Sequence, residues 1–179
     1  MSTREAVRDL TNLAVSEIHA VKRIAHYALG VADPEIAKGF IAMLSDESRH
    51  ARLLIEAVEL FGEGLEPLPL EEIHPSIEEV DHGQITDVRL ARFLARSAHV
   101  ESQLPNLTAR IINEIENPQL KAEIIRRLED MAEDEERHRA WAEDQLCRLV
   151  DGENSETIKE ALTTVDRSRT KSIWKYNCL

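Results

Sequence analysis

The sequence is poor in the residues that break helices or fill the core of a β-sheet. Glycine and proline number six each among 179 residues, and aromatic residues make up only 4%. Alanine, leucine, isoleucine, glutamate and arginine dominate instead, and these residues favour helix over sheet. The composition predicts an all-α protein, and the length suits one domain that can bury a core around a polar site.

Cysteine is also scarce. Cys147 and Cys178 are the two cysteines, and they are not closely spaced. This spacing supports neither a disulfide framework nor a cysteine-based zinc or rubredoxin-type iron site, so we expect a reducing, cytoplasmic environment. The amino terminus lacks the apolar run of a signal peptide, and no stretch is long enough to span a bilayer. We therefore expect a soluble protein without a membrane partner.

Positive charge is in deficit, with 22 basic residues against 34 acidic ones and a formal net charge of -12. Nucleic-acid binding needs a surface rich in lysine and arginine, so a nucleic-acid partner is not expected. Carboxylates that surround bound cations would account for part of the acidity.

Apolar periodicity and capping signals divide the chain into four long helices. We predict the first from Ser2 to the Gly30 region and the third from about Thr86 to Glu116. A cap followed by proline at the first helical position opens the other two: Asp33-Pro34 precedes a periodic run that continues from Ile36 to about Phe61, and Asn117-Pro118 opens a helix that continues to about Val150. Residues 63 to about 85 are rich in proline and glycine and read as a long crossover. These features predict an antiparallel four-helix bundle over residues 1–150. Residues 151–179 would form a short carboxy-terminal helix, from about Ser155 to Asp166, and a tail.

One five-residue motif occurs twice. Residues 46–50 and residues 134–138 both read Asp-Glu-x-Arg-His. The copies are 88 residues apart, and Glu17 and Glu101, on the inner faces of the other two helices, are 84 apart. The chain therefore reads as two related helical hairpins.

In an antiparallel hairpin, two residues at equal distances from the turn lie at the same height along the bundle, so residue numbers give the relative heights of the four glutamates. The midpoint of Glu17 and Glu47 is residue 32, and that of Glu101 and Glu135 is residue 118, which are the two predicted turns. All four carboxylates are therefore expected at one level of the bundle. Such a cluster would repel itself in an apolar interior, whereas two divalent cations would balance its charge. We predict a two-metal site with six ligands: Glu17, Glu47, His50, Glu101, Glu135 and His138.

The aspartate of each motif has a separate predicted role. Asp46 and Asp134 lie one turn before His50 and His138, where each can accept the imidazole N–H that points away from the metal. The arginines of the motif either pair with these acids or face solvent, and the sequence leaves both alternatives open.

These residues resemble the ferritin-like di-iron carboxylate superfamily, which includes rubrerythrins and di-iron oxygenases. The resemblance covers about residues 1 to 150 and implies two iron ions, although Mn/Fe and di-manganese sites use the same ligand types. It also implies that one half of the site contains Glu17, Glu47 and His50, and the other half Glu101, Glu135 and His138. The Asp-Glu-x-Arg-His form is more similar to oxygen-activating desaturases and bacterial monooxygenases than to storage cages.

The resemblance is incomplete after Glu101. Many rubrerythrins have a second glutamate soon after this ligand and a cysteine-rich rubredoxin domain, whereas this chain has Leu104 and no such cysteines. Desaturases and soluble monooxygenases tend to have a threonine within one turn, but the nearest here is Thr108. Pro105 is expected to kink the third helix and open a substrate pocket next to Leu104 and Thr108, or else to be a tolerated bend.

The first functional hypothesis is an oxidoreductase that uses dioxygen to hydroxylate, desaturate or N-oxidise a small organic substrate, with electrons from an unidentified donor. A ferroxidase or iron-storage protein, or a rubrerythrin-like protein that removes peroxide, is the alternative. A tRNA-modifying hydroxylase is a further alternative, which the acidic charge opposes unless one face is locally basic. We expect a homodimer and no catalytic residues beyond the metal ligands.

Overall fold

The computed structural model describes residues 3–62 and 85–169, which contain five α-helices and no strand. The all-α prediction is confirmed, and the helices are α1 (Thr3–Gly30), α2 (Pro34–Glu59), α3 (Asp87–Glu114), α4 (Pro118–Val150) and α5 (Ser155–Arg169).

The two hairpin turns are fixed by the same capping device. The Asp33 side chain accepts hydrogen bonds from the backbone N–H of Glu35, at 2.8 Å, and of Ile36, at 3.3 Å. Asn117 caps α4 in the same way, and in both cases a proline occupies the first helical position. An N-cap side chain followed by proline satisfies the free N–H groups of the first turn, so both helices start where the sequence predicts. Ser2, the predicted cap of the first helix, lies outside the described residues.

Neighbouring helices run antiparallel. Asp9 near the start of α1 pairs with Arg110 near the end of α3, at 2.8 Å, and the Tyr27 hydroxyl donates to the carbonyl oxygen of Arg89 at 3.4 Å. Because α2 and α3 both run opposite to α1, the end of α2 and the start of α3 lie at opposite ends of the bundle. The crossover predicted for residues 63 to about 85 falls outside the described residues, except for Ile85, as does the tail beyond residue 169.

Two apolar clusters form the core, one at each end of the bundle. The aliphatic cluster includes Leu10, Leu54, Ile111 and Ile124. The aromatic cluster contains a stack of Tyr27 on Phe93, with ring centroids 4.0 Å apart, and a contact of Phe40 with Trp141, at 5.1 Å. On each of the four long helices, the residues of these clusters are separated by one polar layer. That layer contains the predicted ligands.

The last helix packs against the bundle. Ile158 and Leu162 of α5 are buried in the aromatic cluster. The helix begins at the predicted residue and extends to Arg169, slightly beyond the predicted end. The division of the chain into residues 1–150 and 151–179 stays a prediction.

Two expectations about the environment can be compared with the structure. Cys147 is disulfide-bonded, a pairing that the spacing of the two cysteines did not indicate. Within residues 3–62 and 85–169, no helix is both long and apolar enough to cross a membrane. The cytoplasmic location stays a prediction.

Candidate metal centre

Six side chains from four helices meet in the polar layer between the two apolar clusters. Five are buried, and Glu101 is half-buried. Their origins are Glu17 from α1, Glu47 and His50 from α2, Glu101 from α3, and Glu135 and His138 from α4. The structure thus brings together every residue that the sequence singled out as a ligand. Their role in binding metal stays a prediction.

The ligand atoms form two overlapping groups, and within each group they lie within 4.8 Å of one another. We call the first group the deep subsite; it consists of Glu17, Glu47, His50 and Glu135. We call the second the outer subsite; it consists of Glu47, Glu101, Glu135 and His138. Because Glu47 and Glu135 belong to both groups, their carboxylates are placed to bridge two cations.

The two histidines are oriented by carboxylates behind them. The Nε2 atom of His50 is 3.1 Å from Oδ2 of Asp134, and Nε2 of His138 is 3.1 Å from Oδ2 of Asp46. An ionised carboxylate only accepts hydrogen bonds, so each Nε2 carries the proton that it donates. The other ring nitrogen, Nδ1, then faces the cage formed by the six predicted ligands, where it can bind a metal ion once it carries no proton.

These pairs correct one prediction. The spacing of the motif predicts that each aspartate supports the histidine one turn later on its own helix, but the structure pairs Asp46 with His138 and Asp134 with His50. The antiparallel packing of α2 and α4 places each aspartate opposite the histidine of the other helix, and the imidazole reaches across. The two motif arginines, Arg49 and Arg137, both contact Asp134. Of the two alternatives for these arginines, pairing with the acids is therefore the one observed.

The cage is arranged so that acids and bases share protons in the absence of cations. Burial and the neighbouring Glu47 raise the pKa of Glu17 well above its usual value, and burial and Glu135 raise the pKa of Glu101 to about 11. Burial acts against ionisation of Glu135 too, but its contacts with His138 and His50 lower its pKa to about 2. Contacts with Glu17, His138 and His50 likewise lower the pKa of Glu47 against the effect of burial, so the two glutamates of each hairpin have pKa values shifted in opposite directions.

The bases of the cage carry the balancing charge. Burial opposes protonation of His138, but the nearby Glu135 and Glu47 raise its pKa to about 10. The pKa of His50 is raised in the same way, against the effect of burial, by Glu135 and Glu47. In the absence of cations, protons are thus bound to ligand atoms of the cage that would otherwise bind the metal ions.

Several polar atoms of the cage are buried without a hydrogen-bond partner. They are Nδ1 of His50, Nδ1 of His138 and both carboxylate oxygens of Glu135. Nδ1 of His50 is only 2.9 Å from Oε1 of Glu135, so these atoms are close but not oriented toward each other. Unpaired buried donors and acceptors are costly, and ligand atoms that point toward a shared centre remove this cost when a cation is bound. The residues therefore fit two divalent ions with nitrogen and oxygen ligands.

The two subsites differ in exposure. Glu17 of the deep subsite is 7% exposed, whereas Glu101 of the outer subsite is half-buried. The supporting aspartates differ in the same direction, because the side chain of Asp134, behind His50, is 8% exposed and that of Asp46, behind His138, is 26% exposed. The outer subsite is thus closer to solvent at both its carboxylate and its histidine.

The three residues predicted to form a pocket occupy different environments. Leu104 is buried in the aliphatic cluster, whereas Pro105 lies exposed on α3, which continues through it. The hydroxyl of Thr108 donates to the carbonyl oxygen of Pro105 at 3.1 Å, so this hydroxyl is engaged within its own helix. These positions do not test the pocket, which stays a prediction.

Arg23 lies beside the cage and was not singled out from the sequence. Its positive charge acts on Glu17 and Glu47, and it opposes the rise in the pKa of Glu101. The sequence contained one signal for it: residues 18–32 contain no aspartate or glutamate, although the chain as a whole is strongly acidic.

A family model described as Rubrerythrin matches residues 10–146, a range that includes all six predicted ligands and both supporting aspartates. No curated protein and no solved structure matches the chain.

Proposed function

The chain belongs to the rubrerythrin family of di-iron proteins, and we propose that it is a non-haem di-iron oxidoreductase. In the proposed reaction, dioxygen oxidises a small organic substrate by hydroxylation, desaturation or N-oxidation, and an external donor supplies electrons. One observation carries the proposal: two four-residue ligand groups share Glu47 and Glu135 inside an apolar bundle.

The residues of the cage have distinct roles in this proposal. Glu47 and Glu135 would hold both iron ions, and Glu17 and Glu101 would each complete one subsite. Asp46 and Asp134 fix the rings of the two histidines through Nε2, so that Nδ1 would be the atom that binds each metal ion. The apolar clusters on both sides of the layer exclude bulk water. When bound, the iron pair supplies the redox chemistry with dioxygen.

Oxidation of an organic substrate is favoured over peroxide removal by residues that are missing from the chain. Leu104 occupies the region after Glu101 where many rubrerythrins have a further glutamate. The sequence also contains two cysteines, fewer than the four that a rubredoxin iron site uses. Family membership is the specific observation in favour of the second candidate, a rubrerythrin-like protein that reduces peroxide.

Anaerobic titration with ferrous iron, followed by exposure to oxygen, tests the proposal. We expect about two iron ions per chain, and dioxygen consumption that increases when a reductant and an oxidisable organic substrate are added. Absence of stoichiometric iron binding would reject the proposal. Faster turnover with hydrogen peroxide than with dioxygen would favour the second candidate.

The same experiment separates iron storage from substrate oxidation. Continued uptake of iron beyond two ions per chain, in a hollow assembly of many subunits, would contradict the oxidoreductase proposal. We propose a homodimer, whose mass is measurable by light scattering. Glu143→Gln is a matched control for substitutions in the cage, because Glu143 also lies on α4 and pairs with Arg139 rather than with a predicted ligand.

A further inference from the structure

Two helical stretches beside the metal layer contain no acidic residue. Residues 18–32, mostly in α1, and residues 88–100 in α3 contain neither aspartate nor glutamate, in a chain whose net charge is -12. The pairs Asp9–Arg110 and Tyr27–Arg89 set the antiparallel register of α1 and α3, and on this register the two stretches lie opposite each other. Their cationic residues are Lys22, Arg23, Arg89, Arg92 and Arg96. The seam between α1 and α3 is therefore locally basic.

Arg23 is the member of this group that is best placed to bind a ligand. It is half-buried, and its Nε atom is buried without a hydrogen-bond partner. Burial lowers the pKa of Arg23, and the positive charge of Arg96 lowers it further. The pKa of His19 is lowered by burial and by the charges of Arg23 and Lys22. A buried donor in a positive environment is costly unless an anion pairs with it.

The carboxylates whose charges act on Arg23 belong to the metal centre. Arg23 interacts with Glu17 and Glu47, and also with Glu101. When two divalent ions are bound, the four carboxylate charges of the cage are balanced by the ions. The cage then offers no surplus negative charge to Arg23. A guanidinium group binds carboxylate and phosphate groups well, because its planar N–H groups match two acceptor oxygens.

We propose that Arg23 binds the anionic group of the substrate, and that the substrate is a small organic carboxylate or phosphate ester held in the seam between α1 and α3. This inference rests on the proposed function and adds the chemical class of its substrate. Arg23 lies six residues after Glu17, about 9 Å along the helix axis. A molecule of a few carbon atoms that is anchored at Arg23 can therefore extend to the metal layer.

Calorimetric titration of the full chain with butyrate and with methyl phosphate tests the inference, with butyramide as the neutral analogue. The measurements use both the metal-free protein and protein loaded with zinc, which has no redox chemistry. We expect both forms to bind at least one of the anions and not the amide. Arg23→Gln should weaken anion binding about tenfold or more, the effect of losing one charge-assisted hydrogen bond.

Two matched variants separate a specific site from general attraction to a basic surface. Arg92→Gln and Lys22→Gln remove the same charge from exposed positions of the same two stretches. They should weaken binding by less than about twofold, because solvent screens exposed charges. Equal losses in all three variants, or no anion binding by the wild-type protein, would overturn the inference. Preference for butyrate or for methyl phosphate identifies which anion the seam accepts.

Folding and metal binding are measured in parallel. Arg23→Lys keeps the charge and should retain weakened anion binding if Arg23→Gln does not fold. Anions should raise the melting temperature of the wild-type protein and leave that of Arg23→Gln unchanged. Zinc stoichiometry distinguishes the two proposals: two zinc ions per chain without arginine-dependent anion binding contradicts only the substrate class, whereas failure to bind zinc contradicts the metal centre itself.

Discussion

The deep and outer subsites use the same types of ligand but differ in how well they are protected from solvent. Each has a glutamate of its own, one histidine and two shared glutamates. Glu17 and the supporting Asp134 of the deep subsite are buried, whereas Glu101 and the supporting Asp46 of the outer subsite are partly exposed. Duplication of a motif has thus produced two unequal positions. We expect the deep subsite to hold its ion more tightly and the outer subsite to exchange it more readily.

The largest effect is expected from the residues that the two subsites share. Glu47→Gln or Glu135→Gln should weaken both metal positions, each by at least about 100-fold, because one carboxylate serves both ions. Glu17→Gln should weaken mainly the deep subsite, and Glu101→Gln mainly the outer one. Anaerobic equilibrium dialysis with ferrous iron measures both affinities, with Glu143→Gln as the control. If Glu47→Gln retained one site with unchanged affinity for iron, Glu47 would not bridge the two metal ions.

A smaller difference is expected from the supporting aspartates. Asp134→Asn should lower the affinity of the deep subsite by about 10- to 100-fold, the usual range for the partner of a metal-binding histidine. Asp46→Asn should act on the outer subsite and cost less, because Asp46 is more exposed and makes fewer contacts with the motif arginines. The same dialysis measures this difference. If Asp46→Asn weakened the deep subsite instead, the cross-helix pairing would be contradicted.

The pH dependence of stability separates the metal-free protein from the loaded one. The folded pKa of Glu101 is raised to about 11 and that of His138 to about 10, so both groups hold protons that the unfolded chain would release at neutral pH. Their stabilising contribution is complete at low pH. It is lost as the pH rises from the pKa of each group in the unfolded chain, about 4.5 for Glu101 and about 6.5 for His138, toward its pKa in the folded protein. The lowered pKa of Glu135 acts oppositely, and its contribution is lost as the pH falls toward about 2.

Thermal unfolding measures this dependence. Between pH 6 and pH 9, the melting temperature of the metal-free protein should fall by about 5 °C or more. Metal binding requires deprotonated ligands, so the difference between loaded and metal-free protein should widen over the same range. Glu101→Gln keeps a neutral side chain at every pH and should reduce the slope. A metal-free melting temperature that rises with pH would contradict the proton-sharing arrangement.

The smallest effect is expected at the position four residues after each unshared glutamate. That position is Val21 in α1 and Pro105 in α3. Pro105→Ala restores an N–H that can donate to the carbonyl oxygen of Glu101, and it should stabilise the protein by at most about 3 kcal/mol, the difference between proline and alanine inside a helix. Urea unfolding measures the change in the free energy of unfolding, and iron dialysis should show little change. A large loss of substrate oxidation in this variant would favour the pocket hypothesis.

The arrangement of helices and ligands was accessible from sequence because it depends on local rules. Asp33-Pro34 and Asn117-Pro118 are capping signals that act within a few residues, so they place the turns. Once the turns are fixed, the rise per residue sets the heights of Glu17 and Glu47 along the helices. These heights do not depend on how the helices are rotated about their axes.

The features that sequence reasoning missed depend on contacts between helices. By its spacing alone, Asp46 could support either His50 on its own helix or a histidine on a neighbouring helix. The choice of His138 follows from the rotation and antiparallel packing of α2 and α4. The unequal exposure of Glu17 and Glu101, and the position of Arg23 beside the cage, also follow from packing. The absence of acidic residues from residues 18–32 is visible in the sequence. That residues 88–100 lie opposite this stretch follows only from the register of α1 and α3.

The most direct test of the account is a crystal structure of the protein loaded anaerobically with ferrous iron, with anomalous diffraction data collected at the iron absorption edge. We expect two anomalous peaks, about 3.5 to 4 Å apart, with the carboxylates of Glu47 and Glu135 between them and Nδ1 of His50 and His138 as ligands. A single peak, or two peaks that do not share Glu47 and Glu135, would contradict the bridged two-metal centre.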